Sequence, residues 1–213
     1  MVIGLRKTAG NYFTKSMLAH FITLDHRIFW LVNGHHTPFF DGFFSIVTNL
    51  GNGWFLTPIL LTIVLLKIPR NRQIACIIVG TIFMVASGLT NSNIKQSYNR
   101  LRPPNYFSHG FAGETQAGRE VHVVGERLCC NSFPSGHSNT AFSGATLLAL
   151  ALGGPYWLSF VAAGIVGYSR VYLGVHFPSD VIGGGLLGII IMCIGMTLYA
   201  WYDRRGQKSR VQQ

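Results

Sequence analysis

Three stretches of this chain contain no Asp, Glu, Lys or Arg: between Asp41 and Lys67, between Arg72 and Lys95, and between Asp180 and Asp203. Each exceeds the roughly 20 apolar residues that a helix needs to cross a bilayer. A fourth region, Ser138 to Val175, carries Arg170 as its one charge and is long enough to cross twice through a turn at Gly153-Gly154-Pro155. Only 11% of the 213 residues are charged, against about 25% in a soluble domain, which argues against an ordinary soluble fold. The expected fold is therefore all-α: a polytopic transmembrane bundle of five to six spans.

Basic residues outnumber acidic ones 17 to 7, a net charge of +10. In a soluble protein that excess would raise nucleic-acid binding. Its placement speaks for a membrane instead, because it gathers at Arg6, Lys7 and Lys15, at Lys67, Arg70 and Arg72, and at Arg204, Arg205, Lys208 and Arg210. Short basic segments of this kind stay on the cytoplasmic side.

The domain layout follows. Residues 1–38, where Asp25, His26 and Arg27 interrupt an apolar run, are expected to form an N-terminal interfacial helix. Residues 39–202 form the transmembrane domain, with 95–137 an outward-facing loop, and 203–213 a basic cytoplasmic tail. Within the domain one helix is expected over Gly42–Leu66, then helices over Gln73–Ile94, Ser138–Leu152, Tyr156–Val175 and Ser179–Trp201. Five crossings put the N-terminus outside and six put it inside. No cleavable signal is evident, so the first span is expected to target the chain. Gly183, Gly184, Gly185 and Gly188 are expected to let helices approach closely. Trp30, Trp54, Trp157 and Trp201 lie near span ends, as interfacial anchors do.

This topology gathers ionisable residues at one face: Lys95, Arg100 and Arg102, then His137, then Arg170, His176 and Asp180. Such groups at membrane depth are expensive and mark a functional site by default. Fixed Lys and Arg donors suit a phosphoryl group, whose charge spreads over three oxygens during transfer, and Lys95, Arg102 and Arg170 supply that field. Ser135-Gly136 opens a helix, where free N–H groups favour an anion. His176 has a carboxylate four residues on, in Asp180, which can hold one ring nitrogen protonated and leave the other free to attack phosphorus. His137 is then the acid for the departing oxygen, and the product of attack is a phosphohistidine.

The remaining polar residues have plainer readings. His35, His36, His109 and His122 lack a trustworthy metal spacing and are read as loop or interfacial residues. Arg100, Arg119 and Arg127 are read as solvated loop charges with a possible headgroup contact. Cys76 and Cys193 lie in apolar spans, where packing suffices. For the adjacent Cys129 and Cys130, two free thiols are favoured over a disulfide to another chain.

Lys95, six residues, Arg102-Pro103; then Pro134-Ser135-Gly136-His137; then Ser169-Arg170, five residues, His176, three residues, Asp180: this order resembles the three-part signature of the type 2 phosphatidic acid phosphatase family, over roughly residues 39–202. The resemblance implies His176 as nucleophile, His137 as general acid and Asp180 as partner of His176. It implies phosphate binding by Lys95, Arg102, Ser135, Gly136, Ser169 and Arg170, without metal or other cofactor. It further implies a mostly helical, integral membrane hydrolase, in a bacterial plasma membrane with its site facing the periplasm or exterior. The expected partners are a lipid phosphate and the bilayer, with no nucleic acid and no obligate protein. Phosphatidylglycerol phosphate, undecaprenyl pyrophosphate, phosphatidic acid and lipid A phosphates are the candidate substrates. Alternatives are a phosphotransferase with a second lipid as acceptor, a non-catalytic anion-binding or transport protein and, more remotely, a vanadate-loaded oxidase like the soluble relatives.

Overall fold

The computed structural model describes residues 3–108, 119–153 and 156–211, with side chains from Ser16 to Arg204 within them. His109, Gly154 and Pro155 of the expected turn, and the basic side chains at 6, 7, 15, 205, 208 and 210 lie outside the described residues. The described residues form eight α-helices: α1 (Ile3–Asn33), α2 (Pro38–Val47), α3 (Gly53–Lys67), α4 (Arg70–Tyr98), α5 (Pro103–Ser108), α6 (Gly136–Leu152), α7 (Trp157–Tyr172) and α8 (Pro178–Val211). No strand occurs among them.

The run expected as one helix over Gly42–Leu66 is broken. After α2 the chain tightens into a 3₁₀ turn at Thr48–Gly51 and restarts as α3, bent by 64° from α2. Asn52 is the cause: its backbone is extended, and its side chain accepts the N–H of Trp54, capping α3. Gly51 sits where the turn meets α6 and α7, and a Cβ there would lie 2.7 Å from His137 Cβ and from a Val166 methyl. The expected loop from residue 95 also begins as helix, since α4 runs on to Tyr98 and ends where Asn99 takes the left-handed conformation.

Helix α6 is the centre, packed on α8, α7, α4 and α3. The α8 glycines do what the sequence predicts: a Cβ on Gly184 would strike the Ser135 carbonyl, and one on Gly188 the Asn139 carbonyl. Buried polar pairs add specificity to this seam, with Ser87 Oγ donating to Asn139 Oδ1 at 2.7 Å between α4 and α6. Away from the site, Leu60, Val64, Cys76, Leu147, Leu148, Met192 and Met196 form an apolar core, so Cys76 is packing.

Outward, the helices are apolar. Ile182, Leu186, Ile190, Ile194 and Leu198 make an exposed stripe along α8, and Ile74, Ile78, Ile82, Val85 and Leu89 do so on α4. Continuous exposed apolar faces of this size mark contact with lipid. By length and composition, residues 70–108 and 178–204 qualify as membrane spans, and the bent α2–α3 pair is a third if taken as one. Helices α6 and α7, of 17 and 16 residues, reach only about 25 Å at 1.5 Å per residue. That length test therefore yields two to three spans where the sequence predicts five to six. Trp30 departs from its expected anchoring role: it is buried among Phe29, Phe107 and Val121. Trp54, Trp157 and Trp201 are exposed, as expected of anchors.

Candidate active site

One end of the bundle collects the C-terminal ends of α4 and α7 and the first turns of α6 and α8, so each expected site residue arrives on a helix end. Helix α7 closes at Tyr172, and the Arg170 carbonyl then accepts the N–H groups of both Val175 and His176 at 3.2 Å. Gly174, at φ +74°, makes that tight turn possible. His176 follows, 1% exposed, and Pro178 starts α8 with Asp180 in its first turn. Ser135 N–H donates to the Asp180 carbonyl at 2.9 Å, tying the start of α6 to the start of α8.

Asp180 is wholly buried and fully engaged. Its Oδ2 accepts the Phe177 N–H at 2.8 Å and the Ser132 hydroxyl at 2.5 Å, and lies 3.5 Å from His176 Nδ1. A carboxylate beside Nδ1 holds the proton there and leaves Nε2 with the lone pair. Nε2 faces Arg102, whose Nη1 is 3.5 Å away. Burial lowers the His176 pKa to about 4, against the raising influence of the Asp180 hydrogen bond and charge, while Arg102 and Arg170 push it further down. The ring is thus neutral at pH 7, as a nitrogen nucleophile must be.

Arg102 is held by backbone. Its Nε donates to the Cys130 carbonyl and its Nη1 to the Val175 carbonyl, both at 3.0 Å, and its N–H to the Cys129 carbonyl at 3.0 Å. Cys129 and Cys130 are neither free thiols nor bonded to another chain: a disulfide joins them to each other. Arg170 Nη1 donates to Thr48 Oγ1 at 2.8 Å, and its buried Nε has no protein partner. An unpartnered buried guanidinium N–H is costly unless a ligand completes it. A cavity of about 310 Å³ opens beside Arg170, between Ser45 and Thr48 and the Val124–Leu128 loop.

His137 occupies the first turn of α6, within electrostatic reach of Arg170, His176, Lys95 and Arg102. Lys95 Nζ lies 3.8 Å from where a Gly136 Cβ would stand, so the ammonium is beside the first turn of α6. Ser135 caps α6, accepting from the N–H and hydroxyl of Ser138. Ser169 is brought to the same end but is wholly buried, and its hydroxyl donates to the Val166 carbonyl at 2.6 Å, within its own helix. Its hydroxyl proton is thus engaged within α7. Two imidazoles, three cations and the first turn of α6 thus share one site, an arrangement able to bind a phosphoryl group, attack it and protonate what leaves. Among the described residues no three His, Cys, Asp or Glu side chains group as metal ligands would.

Arg100 is the largest correction. Read as a solvated loop charge, it instead donates from Nη1 to Asp180 Oδ1 at 2.6 Å and from Nη2 to Asp25 Oδ2 at 2.9 Å. In the sequence Asp25 stands out only as a break in an apolar run, not as a site residue, and Ser132 not at all. An acid within the apolar run Met17–Val32 was the available signal for Asp25; Ser132 belongs to no pattern that sets it apart. His122 bonds Asp41 at 3.0 Å and stacks on His36 at 3.7 Å, and exposed Arg127 pairs with Glu120; these fit their loop readings.

The family model for the PAP2 superfamily matches residues 73–205. An undecaprenyl-diphosphatase of Sulfolobus acidocaldarius is 29% identical over 88% of this chain and 82% of its own length. Among solved structures, LpxE of Aquifex aeolicus superposes with a TM-score of 0.66 at 29% identity, over 82% of this chain and 95% of that one. The first transmembrane PAP2 type phosphatidylglycerolphosphate phosphatase from Bacillus subtilis gives 0.62 at 25%, over 87% of both chains.

Proposed function

This chain belongs to the PAP2 superfamily and is a membrane lipid phosphatase, and from that premise we propose that it cleaves a lipid phosphomonoester or pyrophosphate through a phosphohistidine on His176. Substrate phosphate sits among Lys95, Arg102 and Arg170, against the first turn of α6 at Ser135 and Gly136. Ser169 contributes through the packing of α7 rather than through its hydroxyl. Nε2 of His176 forms a bond to phosphorus as the bond to the leaving oxygen breaks. His137 gives that oxygen a proton, so that it departs as an alcohol or a lipid monophosphate. Water then attacks the phosphohistidine, yielding its proton to His137 and freeing inorganic phosphate. Each step moves one proton through His137 and needs no metal.

The observation that carries this reading is the two-sided environment of His176: Asp180 backs Nδ1, and Nε2 faces Arg102. The relatives named for an undecaprenyl diphosphate and a phosphatidylglycerol phosphate support a lipid substrate and differ on its headgroup. The site opens on the outer face of a plasma membrane, five or six spans are completed by α6 and α7 crossing as neighbours, and α1 lies along the interface. Support for that arrangement is the basic Lys67–Arg72 segment at the end of the bundle opposite the site.

The test is chemical trapping. Purified protein given a radiolabelled lipid phosphate and quenched in mid-turnover should carry an acid-labile, base-stable label, absent from His176→Ala. Undiminished labelling of that variant would remove His176 from the nucleophile role.

A further inference from the structure

Asp25 stands in an apolar stretch of α1 and is 8% exposed, yet both its oxygens reach across to the start of α8. Its Oδ1 accepts the Ser179 N–H at 2.8 Å, and its Oδ2 accepts the Ser179 hydroxyl at 2.6 Å and Arg100 Nη2 at 2.9 Å. Arg100 closes the ring: Nη1 donates to Ser179 Oγ at 2.7 Å and to Asp180 Oδ1 at 2.6 Å, and the guanidinium lies 4.3 Å from the Phe177 ring centroid. Asp25, Arg100, Ser179 and Asp180 therefore form one closed circuit, ending at the carboxylate whose other oxygen faces His176. Both Arg100 Nη atoms are spent on carboxylates, so this cation is not arranged as a phosphate ligand. A half-buried guanidinium that gives one Nη to each of two carboxylates fixes its partners in orientation as well as charge.

We propose that Asp25 and Arg100 are positioning residues for the nucleophile: Arg100 fixes the Asp180 carboxylate, Asp25 fixes Arg100, and docking of α1 on the start of α8 is thereby a condition for an oriented His176. The proposal rests on the reading of His176 given above. It also assigns α1 a part in catalysis through Asp25, which acts on the nucleophile by way of Arg100 and Asp180. The charges have a definite sign. Without Asp25, the Arg100 charge falls on Asp180 alone and weakens its hold on the His176 proton. Without Arg100, Asp180 is freer and holds that proton more strongly. His176 is faced by Asp180 from α8, Arg102 from the segment after α4, Arg170 from α7 and His137 from α6; of these, Asp180 is the one bonded to Arg100.

A double-mutant cycle in the full-length protein in detergent tests this, with kcat and KM for a lipid phosphate read by phosphate release. Asp25→Asn should lower kcat about tenfold with KM within about twofold, as loss of a supporting partner does. Asp25→Glu should recover part of that loss. Combined with Arg100→Gln, Asp25→Asn should cost nothing beyond Arg100→Gln alone. The acid limb of phosphoenzyme formation should move down in Asp25→Asn and up in Arg100→Gln. Wild-type kcat in Asp25→Asn, losses that multiply in the double variant, or an unmoved acid limb would each overturn the proposal. A raised KM at unchanged kcat in Arg100→Gln would make Arg100 a substrate ligand instead and overturn it too. If thermal melting shows that Arg100→Gln does not fold, Arg100→Lys replaces it in the cycle. Phosphate release serves the cycle whether or not a phosphoenzyme is trapped. Absence of label from the wild type thus sinks the His176 reading, and multiplying losses sink this one.

Discussion

His176 and His137 carry opposite demands at the same cationic helix ends: burial, Arg170, Lys95 and Arg102 hold His137 below the usual histidine range as well, so its acid role rests on a bound phosphate offsetting those cations. His176 is sealed from water, and that burial lowers its pKa to about 4 from 6.5 although Asp180 behind it acts the other way. With the folded value below the unfolded one, the neutral ring contributes stability in full above about pH 6.5, and that contribution is lost as pH falls toward 4. Attack should follow the same titration. Phosphoenzyme formation from an activated ester, whose leaving group needs no proton, should stay flat down to about pH 5 and fall only near 4; a limb centred near 6.5 would describe an ordinary exposed histidine. His137→Ala should separate substrates by leaving group, costing about 10² to 10⁴-fold for an alkyl phosphate and far less for a nitrophenyl ester. Equal losses on both would deny it the acid role. Lys95, Arg102, His137, Arg170, His176 and Asp180, six members of the candidate site, are legible in the sequence because each flanks an apolar run and the helix directions send those ends to one face. Arg100 was misread and Asp25 missed for one reason: their bond joins residues 75 apart in sequence, and no local spacing encodes such a contact.

At the scale of elements, hydrophobic run length located α4, α6, α7 and the start of α8 within a few residues, since a charge-free stretch has few alternatives to helix in a bilayer. The same criterion failed at α2 and α3, where no charge marks the break and the agent is one amide, Asn52, satisfying the N–H of Trp54. Run length also overlooked why the helices meet so closely. Helix α8 lies against α6 because Gly184 and Gly188 present only backbone to the Ser135 and Asn139 carbonyls, and that contact sets where Asp180 stands relative to the first turn of α6. Gly188→Leu should therefore destabilise the bundle by about 2 kcal/mol or more, as overpacking in a closed interior does. Gly164→Leu, at an α7 position with open space around it, should be tolerated. Thermal melting of both variants in one detergent checks the contrast, and equal melting points would mean that the α6–α8 seam can widen.

For the molecule as a whole, the decisive relation is between the direction of the helices and the sign of the charges at their ends. Helix α4 begins at Arg70 and Arg72 and carries Lys95 in its last turn, and α8 runs back from Asp180 past Asp203, where Arg72 and Asp203 pair at 3.2 Å. One end of the bundle thus holds the phosphate site and the other a basic rim. Retention of short basic segments in the cytoplasm supports the orientation proposed above, rim inward and site outward. A substrate headgroup would then reach His176 from the outer leaflet, and freed phosphate would leave on that side. Single cysteines distinguish the two faces in intact cells. With Cys76 and Cys193 replaced by serine and the Cys129–Cys130 disulfide left oxidised, Ser97→Cys, exposed at the end of α4, should react with an impermeant maleimide. Lys67→Cys, exposed at the end of α3, should react only after the membrane is opened. The reverse pattern would turn the enzyme over, put its phosphate product in the cytoplasm, and require that the +10 chain keep its basic rim outside against the rule that most membrane proteins obey.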